Sequence, residues 1–153
     1  MLVYRIERQK YLHEVLSGRG AALSFGNRWN SINTHMVYTS GSRSLAILEV
    51  LTRVDLFSDL PEDRLIVTID IQNEISIEKL EMHTLPARWN SFPPSKITQS
   101  IGDNFIRNAA SPILQVPSSL VKGEFNYLIN PFHADITHVS LIESEPIDLK
   151  RWR

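Results

Sequence analysis

The chain has 153 residues, which suits one compact domain and leaves little room for a second, and 42% of them are apolar. Its formal net charge of −1 gives no electrostatic reason to expect nucleic acid or an anionic membrane as a partner. The sequence has no cysteine, which excludes disulfides and thiolate metal sites, and no metal site is predicted. Charges interrupt the N-terminal segment and every apolar run is short, so we expect no signal peptide, no membrane span and a cytoplasmic protein.

The pattern of apolar and polar residues predicts a mixed succession of short elements. In chain order they are a strand at 2–6, helical turns at 11–16, a strand at 36–40, a helix at 42–54, a strand at 65–71, a loop at 86–94, a helix at 98–108 and strands at 113–116, 125–129 and 138–142. Apolar residues occupy the odd positions of 65–71, which predicts a strand with one buried face. About six strands against two or three helices predict an α+β fold in a single domain.

Common sequence motifs of enzymes are absent. The chain has no GxGxxG or GxxxxGK[ST] glycine loop, no GxSxG elbow and no HExxH metal motif. The usual signatures of dehydrogenases, kinases, serine hydrolases and zinc proteases are therefore not found.

A first group of chemically capable residues lies between positions 26 and 49. Glu49 falls beside the apolar arc of its predicted helix, where it either pairs with Arg53 at i, i+4 or places a carboxylate at the rim of a cleft. Arg28, in a loop, is either a solvated arginine or a planar fork for a phosphate or carboxylate. By residue type alone, Trp29 is more typical of a core and Tyr38 of cross-strand packing.

A second group follows in the C-terminal half. Pro117 ends a strand and presents Ser118 at the strand end, a frequent location for binding groups, although Pro-Ser is also a common turn sequence. Asn126 either binds a ligand or forms hydrogen bonds to the backbone alone. His133 has no evident metal partner in the sequence and is better explained as a structural histidine.

Taken together, these segments resemble the RES domain family, which is named for an arginine, a glutamate and a serine. The opening string GNRWNSINTHMVYTSGSRSLAILEVL resembles the family's first signature. The resemblance runs from about Tyr4 to about Ile142. The further matching motifs, in chain order, are Leu85-Pro86 with Trp89, TQSIGD at 98–103, Val116-Pro117-Ser118, and NYLINP at 126–131 with His133.

The resemblance implies a single RES domain over residues 1–153, with a mixed, mainly antiparallel sheet similar to that of ADP-ribosyltransferases. It identifies Arg28, Glu49 and Ser118 as the residues that name the family, and Tyr38 as a tyrosine the family also uses. Two segments depart from the family pattern. Asn33-Thr34 stands where many members have a glycine turn, although asparagine tolerates left-handed backbone, and residues 149–153 fit the usual ending poorly.

The resemblance also implies a function. RES proteins are typically the toxin of a toxin–antitoxin pair with an Xre-type antitoxin, here expected to cover the active site, and members deplete NAD+ by hydrolysis or phosphorolysis. Glu49 is then expected at the nicotinamide ribose, Arg28 on the anionic part of NAD+ or an incoming phosphate, and Tyr38 beside the nicotinamide ring. Further substrate-binding residues are expected to be Ser118, Asn126 and Trp29.

Under this reading NAD+ is a substrate, inorganic phosphate is the candidate co-substrate, and no cofactor is expected. A homodimer within the toxin–antitoxin complex is also compatible with the resemblance. Two alternatives remain open at this point: a protein mono-ADP-ribosyltransferase that uses the same pocket, and a non-catalytic RES-like module that binds an antitoxin or a nucleotide. The presence of all three name-giving residue types argues against the module.

Overall fold

The computed structural model describes residues 1–53 and 61–152. Within these two ranges, seven strands and three α-helices are joined by turns and short 3₁₀ segments. In chain order they are β1 (Leu2–Arg8), α1 (Arg19–Ala22), β2 (Val37–Ser40), α2 (Arg43–Leu51), β3 (Arg64–Ile71), β4 (Ile77–Lys79), α3 (Lys96–Asn108), β5 (Ile113–Pro117), β6 (Phe125–Ile129) and β7 (Val139–Pro146). The 3₁₀ segments are Gln9–Glu14, Met82–Thr84, Ala134–His138 and Leu149–Trp152.

The strands form one sheet in the order β4-β5-β6-β2-β1-β3-β7. Neighbouring strands are antiparallel except β4 and β5, which run parallel. The predicted α+β fold with a mixed, mainly antiparallel sheet is therefore confirmed.

The centre of the sheet is a narrow seam between β1 and β2. These strands share one residue pair, Tyr4 with Ser40, whereas β1 pairs with β3 along its whole length and β2 pairs with β6 at all four of its residues. The sheet thus consists of two well-paired halves joined through this one residue pair. A cleft lies at this seam, lined by residues 4–6 of β1 and 38–40 of β2.

One face of the sheet carries a continuous core. Because side chains alternate along a strand, Val3, Val37, Val67, Ile113 and Ile129 all point to this face, where they are fully buried. Leu12, in the first 3₁₀ segment, and Leu16, two residues after its end, pack against them. This core holds the two halves of the sheet together.

The opposite face carries two separate apolar clusters. Below α3, Trp29, Met36 and Phe105 pack on Leu128. Below α2, Ala46 packs with residues of β1 and β3 and with Leu149. Both α2 and α3 have a serine N-cap, Ser42 and Ser95 respectively, whose side chain accepts a backbone N–H of the first turn. Tyr38 of β2 packs against the first cluster and Tyr4 of β1 against the second, so the seam lies between them.

The prediction of one buried face for β3 was wrong. Leu65, Val67 and Ile69 lie in the continuous core as the alternation indicates, but Ile66 and Thr68 on the other face are also buried. The reason is that Ile66 packs under α2 together with Leu149, a covering that local periodicity does not reveal.

Other boundaries differ from the predictions in part. β7 extends to Pro146 instead of ending at Ile142, the short parallel strand β4 was not predicted, and α2 ends at Leu51. The predicted helix end at Val54 lies outside the described residues. Asn33 adopts φ of +70°, which agrees with the expectation that asparagine replaces a glycine turn there. Within residues 1–53 and 61–152, no helix is long and apolar enough to cross a membrane.

Candidate active site

The loop that carries Arg28 is held in place by α3. Gln99 donates from Nε2 to the carbonyl oxygen of Asn27 at 2.9 Å. One turn further along α3, Asp103 accepts the backbone N–H and the hydroxyl of Ser31 at 3.0 and 2.6 Å. Between them Gly102 packs directly under the Trp29 carbonyl, leaving no room for a Cβ. The TQSIGD motif therefore positions the loop on both sides of Arg28.

The guanidinium of Arg28 is oriented by the loop that was predicted over residues 86–94. Its Nη1 donates to the carbonyl oxygens of Trp89 and Ser91 at 2.8 and 3.0 Å, and the group lies 5.9 Å from the centre of the Trp89 ring. Burial, followed by the charge of Arg53, lowers the pKa of Arg28. Arginine stays charged after such a shift, so the structure places an oriented, partly desolvated cation in this position.

Tyr38 is locked into the same loop. Its hydroxyl donates to Asn30 Oδ1 at 2.6 Å and accepts the backbone N–H of Trp29 at 3.2 Å. Asn30 is itself fixed by donating from Nδ2 to the carbonyls of Ala21, Ser31 and Thr34. Burial raises the pKa of Tyr38 far above its usual value, so the hydroxyl stays protonated. With donor and acceptor both used, Tyr38 offers its ring to a ligand and not its proton.

Trp29 itself is buried, with 3% of its surface exposed, and its ring packs at 5.9 Å from that of Trp89. This is the core packing typical of tryptophan. Its backbone carries the contacts to Tyr38 and Gly102 described above. The prediction that Trp29 binds substrate stays a prediction.

Glu49 lies on α2 and both of its carboxylate oxygens have a donor. Asn126 donates from Nδ2 to Oε1 at 2.8 Å, and Arg53 donates from Nη2 to Oε2 at 3.1 Å. The side chain of Glu49 is 17% exposed while that of Arg53 is 59% exposed. The two readings of Glu49 are both realised, because it pairs with Arg53 and also lies at the rim of a cleft.

Asn126 reaches Glu49 because β6 pairs with β2. In this register Asn126 stands opposite Ser40, and Ser40 donates from Oγ to Asn126 Oδ1 at 2.8 Å. The amide of Asn126 thus accepts from one residue and donates to another. These hydrogen bonds of the Asn126 amide go to other side chains. The alternative that the sequence left open was bonding to the backbone alone, and the structure differs from it.

Ser118 has a different environment from the other predicted site residues. It is buried, and its Oγ accepts the backbone N–H groups of Leu120 and Val121, each at 3.1 Å, which closes the turn after β5. Its neighbours Pro117 and Ser119 line the cleft. The structure therefore brings five of the six predicted site residues to one cleft, and only the side chain of Ser118 does not line it. The five are Arg28, Trp29, Tyr38, Glu49 and Asn126.

The cleft has a volume of about 200 Å³ and a positive balance of charge. Among the residues that the structure describes, Arg5, Arg28 and Arg53 line it together with one carboxylate, that of Glu49. Arg5 donates from Nη1 to the carbonyl oxygen of Tyr38 across the seam, at 3.1 Å, and forms an ion pair with Glu7. Arg5 and Arg53 were not predicted as cleft residues; the i, i+4 pairing with Glu49 was the available signal for Arg53, and none existed for Arg5.

No group of three or more histidine, aspartate or glutamate side chains suited to a metal ion occurs in the part of the chain that the structure describes. His133 accepts the backbone N–H of Asp135 at Nδ1, and its Nε2 lies 3.0 Å from the carbonyl oxygen of Ala109. These contacts fit the structural role favoured for this histidine.

Fold and site together define an α+β domain in which an oriented arginine and a held carboxylate line one cleft. The family model of the RES domain matches residues 2–150. The chain belongs to the RES domain family.

Its relatives include proteins with named activities. The chain is 41% identical over 136 residues to "Toxin Res" of Photorhabdus laumondii subsp. laumondii, covering 88% of this chain and 85% of that protein. It is 34% identical over 131 residues to "Prs ADP-ribosylating toxin" of Sphingobium sp., covering 84% of this chain and 80% of the relative.

A solved structure has the same fold. A chain of the crystal structure of the M. tuberculosis MbcT–MbcA toxin–antitoxin complex superposes with a TM-score of 0.78 at 18% identity, covering 99% of this chain and 86% of that one. At this identity the similarity concerns the fold.

Proposed function

We propose that this protein is the toxin of a toxin–antitoxin pair and that it cleaves NAD+ at the bond between nicotinamide and ribose. The observation that carries the proposal is the carboxylate of Glu49, held by Asn126 in a cleft whose other charged lining residues, within the described part of the chain, are arginines. One fixed negative charge beside an excess of positive charge suits a substrate that has a diphosphate and develops a cation at one sugar carbon. The names of the RES relatives support the toxin assignment.

In the reaction, the C1′–N bond breaks and its electron pair stays with nicotinamide, which leaves as a neutral molecule. The ribose ring passes through an oxocarbenium-like state, and Glu49 stabilises this developing positive charge from close range. Because nicotinamide departs uncharged, the leaving group needs no protonation. Water or phosphate then donates an oxygen to C1′, and the proton lost by water is released to solvent.

The remaining residues bind and orient the dinucleotide. The guanidinium of Arg28, already aimed by two backbone carbonyls, holds the diphosphate or an incoming phosphate through charge-assisted hydrogen bonds. The ring of Tyr38 flanks nicotinamide, and its locked hydroxyl keeps that ring in one orientation. Ser118 contributes by fixing the turn that presents Ser119 to the cleft, and Asn126 contributes through Glu49.

A second candidate is transfer of ADP-ribose to a protein. The Sphingobium relative, 34% identical, is named an ADP-ribosylating toxin, and the same cleft serves either reaction because only the nucleophile differs.

For regulation, we propose that an Xre-type antitoxin covers the cleft, which accords with the toxin–antitoxin complex whose chain shares this fold. A homodimer within such a complex, acting in the cytoplasm where NAD+ is available, completes the proposal.

The experiment that separates these reactions is mass spectrometry of the products formed from NAD+ by the purified protein, with and without inorganic phosphate. Hydrolysis gives ADP-ribose in both conditions. Phosphorolysis gives a heavier product, in which a phosphate group takes the place of the C1′ hydroxyl, and gives it only when phosphate is present. Labelled NAD+ incubated with cell extract shows protein modification as label in a discrete protein band. Absence of nicotinamide release in every condition would refute the proposed function.

A further inference from the structure

A buried hydroxyl lies behind the carboxylate of the candidate active site. Ser40, in the middle of the sheet, is 4% exposed, and its Oγ donates to Asn126 Oδ1 at 2.8 Å. Asn126 Nδ2 in turn donates to Glu49 Oε1 at 2.8 Å. The three side chains form a directed series of hydrogen bonds that starts in the sheet and ends on the helix bearing Glu49.

The direction of this series is set at its Glu49 end, because a carboxylate can only accept, and Ser40 then restrains the amide from the sheet side. An asparagine side chain has a donor and an acceptor at nearly equivalent positions, and rotation by 180° exchanges them. With Nδ2 facing the carboxylate of Glu49, Oδ1 faces Ser40, whose hydroxyl donates to it and holds the amide in this place. The opposite orientation would direct the amide oxygen at the carboxylate, two acceptors in contact, and would leave the carboxylate without this donor.

The other donor to Glu49 does not replace this contact. Arg53 is 59% exposed and pairs with Glu49 along the surface of α2. Exposed i, i+4 ion pairs contribute little and their side chains retain freedom. The bond from Asn126 is anchored to a strand, so it restrains the carboxylate relative to the sheet on which the cleft is built.

We propose that Ser40 is a positioning residue, which holds Glu49 in its productive orientation by fixing the amide of Asn126. The inference rests on the proposed function, since Glu49 is the group that it assigns to the reacting sugar. Ser40 acts through the two other side chains. It therefore affects the chemical step more than binding of the dinucleotide, whose anionic part is assigned to Arg28.

The test compares Ser40→Ala with a matched variant, Ser111→Ala. Ser111 is also 4% exposed and has hydrogen bonds to the Ser76 and Ile113 carbonyls, but it lies before β5 and away from the cleft. Ser40→Ala is expected to lower kcat for nicotinamide release about tenfold with KM changed less than about twofold, the size expected for loss of one bond that orients a charged group. Ser111→Ala is expected to retain kcat.

A double-mutant cycle separates positioning from general damage to the structure. If Ser40 acts through Asn126, then Ser40→Ala has no further effect on kcat in an Asn126→Ala background. Independent, multiplicative losses in kcat would overturn the proposal, as would unchanged kcat in Ser40→Ala alone. A loss of kcat as large in Ser111→Ala would also overturn it.

A spectroscopic measurement keeps this inference distinct from the proposed function. In ¹⁵N-labelled protein without NAD+, the Asn126 side-chain amide is expected to show one proton shifted downfield and protected from exchange with solvent. Ser40→Ala should shift this signal and speed its exchange about tenfold, while Ser111→Ala leaves it unchanged. An unchanged signal in Ser40→Ala refutes the positioning role. Absence of NAD+ cleavage by the wild type refutes the function instead.

Discussion

Replacing Gly102 by alanine should weaken the attachment of the arginine loop to α3. A Cβ at this position would lie 1.6 Å from the carbonyl oxygen and 2.7 Å from the carbonyl carbon of Trp29. Both atoms are backbone, so relief requires a shift of more than about 1 Å between α3 and the loop that carries Arg28. In isolation the change favours the helix by about 1 kcal/mol, since alanine has the higher helix propensity.

Overpacking of a closely packed site costs about 1–3 kcal/mol, and contact with rigid backbone places this case at the upper end. After the gain in helix propensity, we expect Gly102→Ala to lower the free energy of unfolding by about 2 kcal/mol and the Tm by about 5 °C. Displacement of the loop should also raise KM for NAD+, because Arg28 loses its alignment with the Trp89 and Ser91 carbonyls.

Gly20→Ala is the matched control. Gly20 is also helical, in α1, and a Cβ there meets no atom within 4 Å. Urea denaturation of the two variants, together with NAD+ kinetics, measures both effects. If Gly102→Ala is as stable as the wild type and has the same KM, then the packing of α3 against Trp29 does not position the loop.

Three further variants test individual contacts. Tyr38→Phe should reduce the loss of stability above pH 10. The pKa of Tyr38 is raised on folding, so the stability that its protonated hydroxyl contributes is complete below the unfolded pKa near 10 and declines at higher pH. Denaturation measured as a function of pH would show this difference. Ser118→Ala should lower the free energy of unfolding by about 1 kcal/mol, because two N–H groups lose their acceptor, and equal stability in urea would contradict the turn role. Arg28→Lys, which cannot bond both carbonyls with a planar fork, should raise KM for NAD+ about tenfold, and an unchanged KM would exclude Arg28 from binding.

Much of the fold follows from local sequence patterns. The leucine spacing and the serine at position 42 predict α2 correctly at its start, and β-prone runs predict β1, β2, β5 and β6 within about two residues. The burial of Ile66 was not predictable in this way, since it depends on α2 and Leu149 packing over β3 from distant parts of the chain. β4 was missed because three residues are too few to show alternation.

The site was predictable in residue identity and less so in arrangement. Periodicity alone indicates an i, i+4 pair between Glu49 and Arg53, which the structure contains. It carries no information on the contact between Glu49 and Asn126, 77 residues apart, because that contact requires the β2–β6 register. The same limitation applies to Ser118, whose location at a strand end fits both a binding group and the turn that its hydroxyl closes.

The most direct test of the central claim is the rate of nicotinamide release from NAD+ by the wild type and by Glu49→Gln, which keeps the size of the side chain and removes its charge. Glu74→Gln, an exposed glutamate in the turn after β3, is the control for loss of one negative charge. We expect Glu49→Gln to reduce the rate at least about 100-fold, the size of a lost transition-state charge contact, with Glu74→Gln unchanged. Wild-type activity in Glu49→Gln, or no release by the wild type, would contradict an NAD+-cleaving site at Glu49.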